Sequence, residues 1–388
     1  MAIFAALAAL LSAGVADADP KPSPEPIPPT ETIYPDRATA LRARPLEAPG
    51  SELSERGRNV RGLYVPYARV LSWTPRQLVH WVRKIGVNAV VIDVKDDRGR
   101  VTFTRDLPLA DGRPHGRVDD MERVVSALKE AGIYTIGRLV CFKDDQLFRL
   151  RPETAVRDLR SGKPWKDIVD MHWVDPHSEV VREHIESVAR ASQEVGFDEI
   201  QLDYVRFPVD SRARWARYPN RKGDPKRYEV IAALLERVDR ALDIPLSIDV
   251  FGLTAYKPGD PDGLGQSLEH LAPYVDAVTP MVYLANWPRS YWENPRPSKT
   301  HDVINGAIER IRERLDDRIA VRPLLQAFRW RAKNFSTSFI HNQIDAAVSG
   351  GSSGYLFWNH SSDYYRVKLA LEQLDEAGRR SLPVASSR

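Results

Sequence analysis

FDEIQLDYVRFP, residues Phe197–Pro208, is the stretch on which the fold turns. Side chains alternate along a strand, so Ile200, Leu202 and Tyr204 fall on one face and Glu199, Gln201 and Asp203 on the other. A buried strand with carboxylates on its second face has no place in a sandwich core. It suits a closed barrel whose interior turns polar towards its mouth. Asp203 then stands at the carboxyl end of the strand, where such barrels place their functional groups.

Apolar runs alternate with amphipathic helical stretches on both sides of this strand. VRGLYVP (Val60–Pro66), NAVVIDVK (Asn88–Lys95) and IYTIGRLV (Ile133–Val140) precede it as strands, with helices over Thr74–Ile85, Val118–Ala131 and His177–Val195. After it come LSIDVFG (Leu246–Gly252), DAVTPMVY (Asp276–Tyr283), IAVRPLLQAF (Ile319–Phe328) and GYLFWN (Gly354–Asn359). Helices over Lys226–Leu242, Gly265–Leu271, Asp302–Leu315, Ser338–Val348 and Tyr365–Glu376 alternate with these later strands. Eight strands, each followed by a helix, predict an α/β protein, a (β/α)8 TIM barrel. An open dinucleotide-binding sheet is excluded, because YARVLSW, not a glycine-rich phosphate turn, follows the first strand.

The sequence outside the barrel reads differently. MAIFAALAALLSAGV followed by Ala16-Asp17-Ala18 resembles a signal peptide over residues 1–18, with an uncleaved anchor as the alternative, since no Lys or Arg precedes the apolar run. Residues 19–59, opening with PKPSPEPIPP, read as a proline-rich disordered linker, residues 60–378 as the barrel and 379–388 as a tail. A secreted or periplasmic protein follows, with no membrane span in the mature chain. The 388 residues are 43% hydrophobic, enough for a large core. Net charge is +3 with both signs well mixed, which gives no basic stripe for nucleic acid. The single cysteine, Cys141, excludes an internal disulfide and a multi-cysteine zinc site.

The strand-end residues of such a barrel face the substrate and can be enumerated. They are Asp93 and Lys95 with Asp96 and Asp97, then Arg138, then Asp203 with Tyr204 and Arg206, then Asp249, Met281, Tyr283, Gln326, Trp358 and Asn359. Carboxylates, amides, arginine and aromatic faces together are what binds sugars. Glycoside hydrolysis needs two carboxyl groups, one protonated and one ionised, and Asp203 and Asp249 on consecutive strands are the expected catalytic pair. The plainer alternative is that either only orients an arginine or binds a hydroxyl. For Asp93, beside Lys95, the stronger reading is an ion pair at the mouth. Arg206 either holds Asp203 ionised or docks an acidic group of the substrate. Glu199 and Gln201, deeper on the same face, read as a structural polar layer partnered by Arg322 or Arg138.

Other motifs carry less. His172 and His177 flank Asp175 without a zinc-binding spacing, Asp175 reads as a cap for the helix from His177, and no G-x-S-x-G elbow is present. No metal and no cofactor is implied. Tyr291, Trp292 and Trp287 read either as a sugar platform or as a loop packed on the barrel.

At NAVVIDVKDDRG, FDEIQLDYVRFP, SIDVFG, MVY, RPLLQAF and GYLFWN the chain resembles a bacterial family of glycoside-hydrolase-like TIM barrels, a domain of unknown function, over Arg61–Leu374. The resemblance implies the barrel, a carbohydrate substrate and a site at Asp93, Asp203, Arg206 and Asp249. One departure is visible: LANW follows MVY where the family pattern has a short polar turn with a histidine. The expectation is a hydrolase of a polysaccharide, with a carbohydrate-binding barrel in envelope assembly as the alternative and a metal-dependent deacetylase as a weaker third.

Overall fold

The structure, a computed structural model, describes residues 53–103, 107, 118–260, 262–287, 297–332 and 334–376. The leader and nearly all of the linker, the tail, Tyr291 and Trp292 lie outside the described residues.

Eight parallel strands close into a barrel: β1 (Arg61–Val65), β2 (Ala89–Lys95), β3 (Tyr134–Val140), β4 (Glu199–Asp203), β5 (Leu246–Phe251), β6 (Ala277–Met281), β7 and β8 (Tyr355–Trp358). Strand β7 is in two pieces, Ala320–Val321 paired with β6 and Leu324–Gln326 paired with β8. Pro323 between them has no N–H to give to a ladder, which is why the strand breaks there. The pairing of Leu324 with Met281 carries the ring across the break. With β8 paired to β1, the (β/α)8 barrel expected from the alternation is complete.

Helices α1 (Pro75–Ile85), α2 (Val118–Glu130), α3 (Glu179–Val195), α4 (Arg227–Ala241), α5 (Leu268–Leu271), α6 (Pro297–Arg314), α7 (Thr337–Ser349) and α8 (Tyr365–Glu376) follow the strands. Helix α1 starts where its sequence says: Thr74 and Gln77 form a capping box, Pro75 fills the first turn, and Gly86 at φ 85° ends it. Leu78, Val82 and Ile85 bury the inner stripe. Ser178 holds the N-cap position of helix α3 without a side-chain capping hydrogen bond, and the Asp175 carboxylate instead accepts from the His177 backbone and ring.

The described residues start at 53, ahead of the first strand. A short helix, Glu55–Arg58, lies against the amino-terminal end of the barrel with Leu53 buried beside it. Arg322, wholly buried, donates from Nη1 to the Gly57 carbonyl at 2.9 Å and to Glu199 Oε2 at 3.0 Å. A Cβ at Gly57 would lie 2.8 Å from the Tyr134 hydroxyl, so only glycine fits this close approach. Tyr134 and Ser247 also donate to Glu199, which completes the structural polar layer predicted for this strand.

The interior divides by sequence. Tyr64, Val91, Ile136, Leu324 and Leu356 pack as an apolar half on the β1–β3, β7 and β8 side. Gln201, hydrogen bonded to Thr279 at 3.1 Å, and Asp249 belong to the polar half on β4–β6.

Candidate active site

The polar half opens at the carboxyl ends of the strands into a cavity of about 120 Å³. Tyr64 comes from β1, Asp93 from β2 with Asp96 and Asp97 just past its end, and Arg138 from β3. Asp203 ends β4 with Tyr204 and Arg206 beyond it; Phe251, Tyr283, Asn286, Trp358 and His360 follow from β5, β6 and β8 and their loops.

Arg138 is the centre of the floor. Its Nε and Nη2 donate to Asp203 Oδ2 at 3.0 and 2.5 Å, and its Nη1 donates to Asp93 Oδ1 at 2.5 Å. One guanidinium thus spaces two carboxylates from the strands on either side of its own, the planar fork geometry that arginine alone supplies. Asp203 Oδ1 accepts from the Tyr204 N–H at 2.6 Å, so both of its oxygens accept from fixed donors. That contact bends the chain: Tyr204 sits at φ 51°, a strained conformation for a tyrosine of the kind that gathers at functional sites. Asp93 Oδ2 accepts from the Tyr64 hydroxyl at 2.5 Å, and burial pushes this carboxyl up against the pull of Arg138. Tyr64 stacks on Trp358 with ring centroids 3.8 Å apart, and Arg138 lies over the Trp358 ring at 4.9 Å.

Asp249 is placed differently from its expectation at the mouth. It is 1% exposed, neither carboxyl oxygen has a hydrogen-bond partner among the described residues, and it does not line the cavity. The register pairs Leu202 with Ile248, so Asp203 and Asp249 stand opposite each other on strands about 5 Å apart. Burial first, and then the charge of Asp203, push the Asp249 carboxyl well above the usual range, which favours its protonated form under the floor.

Three other predicted site residues turn away from the cavity. Lys95 was to share a face with Asp93, but a bulge between them re-aims it. Fully buried outside the barrel mouth, it donates to the Val140 carbonyl and pairs with Asp144, both at 2.7 Å. Asp93 therefore pairs with Arg138 and not with Lys95. Gln326 accepts from the Ala285 N–H at 3.2 Å and donates to the carbonyls of Phe328 and Trp330, tying two loops together. Asn359 donates to the Ala327 and Asp363 carbonyls. Arg206 lines the cavity but does not hold Asp203, a task that falls to Arg138. Trp287 is 5% exposed and edge-on to Tyr256, so it is packed on the barrel and is no open platform.

The sequence reading passed over Tyr64, Phe251, Asn286 and His360. The inward parity of Gly62 and Tyr64 on β1 would have found the first. His360 lies in the loop after β8 and no strand period points to it, yet it brings a histidine to the mouth despite the LANW departure after β6. Among the described residues no group of three or more His, Cys, Asp or Glu could hold a metal ion, and no helix is long and apolar enough to cross a membrane.

A (β/α)8 barrel with acid, arginine and aromatic groups converging at its carboxyl face is the architecture of glycoside-hydrolase-like barrels. Residues 62–364 match the family model described as "Putative glycosyl hydrolase domain", and the chain belongs to that family. The glycoside hydrolase domain of PgaB (BpsB) from Bordetella bronchiseptica superposes with a TM-score of 0.58 at 16% identity, over 84% of this chain and 100% of that one. An alpha-L-fucosidase from Paenibacillus thiaminolyticus gives 0.53 at 13% identity, over 83% of this chain and 50% of the fucosidase. A hypothetical protein from Ruminiclostridium thermocellum is 28% identical over 48% of this chain and 97% of its own, with a TM-score of 0.41. No curated protein matches the chain. Family and fold together support a glycosidase-like function.

Proposed function

We propose that this protein is a secreted or periplasmic glycoside hydrolase that cleaves a polysaccharide of the cell envelope at the carboxyl-end cavity. The observation that carries the reading is Asp203, a carboxyl group at a strand end, fixed by two Arg138 donors and its neighbouring N–H beside a wall of aromatic rings. It takes the role of nucleophile or base at the sugar carbon, because three donors fix its orientation before substrate arrives. A sealed group cannot touch a leaving oxygen, so the acid is assigned to the rim and not to Asp249. Asp97 lines the cavity and has no hydrogen bond or ion pair among the described residues, which leaves its carboxyl available to protonate the departing sugar. Trp358 and Tyr283 offer ring faces to the sugar.

A second reading, a carbohydrate-binding barrel without turnover, is favoured by one observation: only one member of the expected Asp203 and Asp249 pair reaches the cavity. Reducing-end release from a polysaccharide panel separates the two. Hydrolysis is expected, lost in Asp203→Asn by about a thousandfold or more with melting temperature and sugar binding retained. Saturable binding with no product on any polymer, or full turnover by Asp203→Asn, overturns the assignment.

A further inference from the structure

A second cavity, of about 360 Å³, adjoins the first, and Phe251 and Asn286 line both. It is built from the loops after β4 and β5 and is lined by Arg214, Arg227 and Lys257 against a single carboxylate, Asp262. We infer that the two cavities form one cleft for an anionic polysaccharide, with a carboxylate or phosphoryl group of the sugar docked on Arg206. The inference rests on the reading that the cavity takes a polysaccharide, and it names the charge class of that polymer.

Arg206 supplies the main argument. It is only 6% exposed, lines the first cavity, and has no carboxylate within ion-pairing distance among the described residues. Its one side-chain hydrogen bond among the described residues is from Nη1 to the Phe207 carbonyl at 3.1 Å. The rest of the guanidinium is walled by the rings of Phe251, Trp173 and Tyr204 at 4.8, 5.0 and 5.2 Å. A buried cation held only by ring faces and one carbonyl is costly unless an anion completes it. Arg138, equally buried, shows the contrast, since two carboxylates satisfy it. Burial accordingly pulls Arg206 down from the usual arginine range, a direction that an incoming anion would reverse.

Asn286 is an independent sign. It stands where the cavities meet, and both its side-chain nitrogen and its oxygen are buried without a hydrogen-bond partner among the described residues. An amide that can both donate and accept at the junction fits a sugar hydroxyl passing from one lobe to the other. Beyond it the charge stays positive. Arg214 is exposed and forms no ion pair among the described residues, Arg227 donates to the Gly263 carbonyl, and Lys257 pairs with Asp262 at 2.9 Å. The first cavity carries its carboxylates on the β2 to β4 side, so the cleft is polarised. The bond to be cleaved lies over Asp203, and the acidic substituent points towards the β4 and β5 loops.

The test is calorimetric titration of the full chain with three hexasaccharides of matched length: an oligouronide, its carboxyl-reduced counterpart and a phosphorylated oligosaccharide. A charge-assisted guanidinium contact is expected to favour an acidic oligomer by roughly ten- to a hundredfold over the neutral one. Whichever acidic oligomer wins identifies carboxylate or phosphoryl as the recognised group. Arg206→Met should lose the preference for the acidic over the neutral oligomer. Arg214→Glu, at an exposed position that does not threaten folding, should weaken acidic binding alone and flatten its salt dependence. Equal affinity for charged and neutral oligomers, no binding of any of the three, or a preference that survives in both variants overturns the inference. Cleavage of the neutral oligomer without charge preference would sink this inference and leave the hydrolase reading standing. Charge-selective binding without cleavage would do the reverse.

Discussion

Replacing Asp249 by asparagine separates a buried neutral carboxyl from a catalytic acid. Asp249 has no hydrogen-bond partner, is sealed under the cavity floor and faces the charge of Asp203, and its carboxyl is pushed well above the usual range by burial and then by that charge. The unfolded chain releases this proton near pH 4, whereas the folded protein keeps it. The folded state therefore binds more protons above pH 4, so this residue's contribution to stability falls as pH rises, by up to about 1.4 kcal/mol per pH unit, until the folded value is passed. Asparagine carries no proton and has no such slope. Asp249→Asn should match the wild type near pH 4 and be more stable at pH 7, by at most about 4 kcal/mol, the limit set by three pH units. That limit corresponds to several degrees or more in melting temperature for a domain of this size. Calorimetric melts of both proteins from pH 4 to 8, with turnover on the cleaved polysaccharide, make the measurement. Turnover should survive within a few fold, because asparagine reproduces the neutral, sealed side chain. A stability difference that does not vary with pH would show an ionised, partnered Asp249. Loss of turnover in a well-folded variant would make Asp249 the acid and refute its assignment to the rim.

Other perturbations probe the rest of the frame. Glu199→Gln at the amino-terminal end leaves Arg322 buried without its carboxylate and should cost about 3–5 kcal/mol in denaturant melts while activity per folded molecule is unchanged. His184 is buried and held down to about 4, so the folded state binds fewer protons than the unfolded chain below pH 6.5. Stability should therefore fall by up to about 3 kcal/mol as pH drops from 6.5 to 4, and His184→Gln should remove that slope. Trp358→Ala removes the stack on Tyr64 and the ring under Arg138. It should raise the sugar dissociation constant about tenfold with a smaller effect on the catalytic step, as binding and single-turnover rates would show.

What the amino-acid order determined alone was the barrel and its polarity. Alternation along FDEIQLDYVRFP placed Glu199 and Asp203 on the inner face, and the matching alternation on β3 and β7 placed Arg138 and Arg322 opposite them. Period-two geometry is local, and a register set by buried faces propagates it around the ring. Depth and exact aim are not local. A bulge that one ladder imposes turned Lys95 from the mouth to Asp144, and only the closed ring shows that Asp249 lies beneath the floor while Asp203 lies on it. Which arginine grips Asp203 was likewise a matter of reach between strands, so Arg138 holds it and Arg206 is left among aromatic rings. Asn286, His360 and the basic second lobe come from loops, whose course follows from what they pack against and not from any period in their residues.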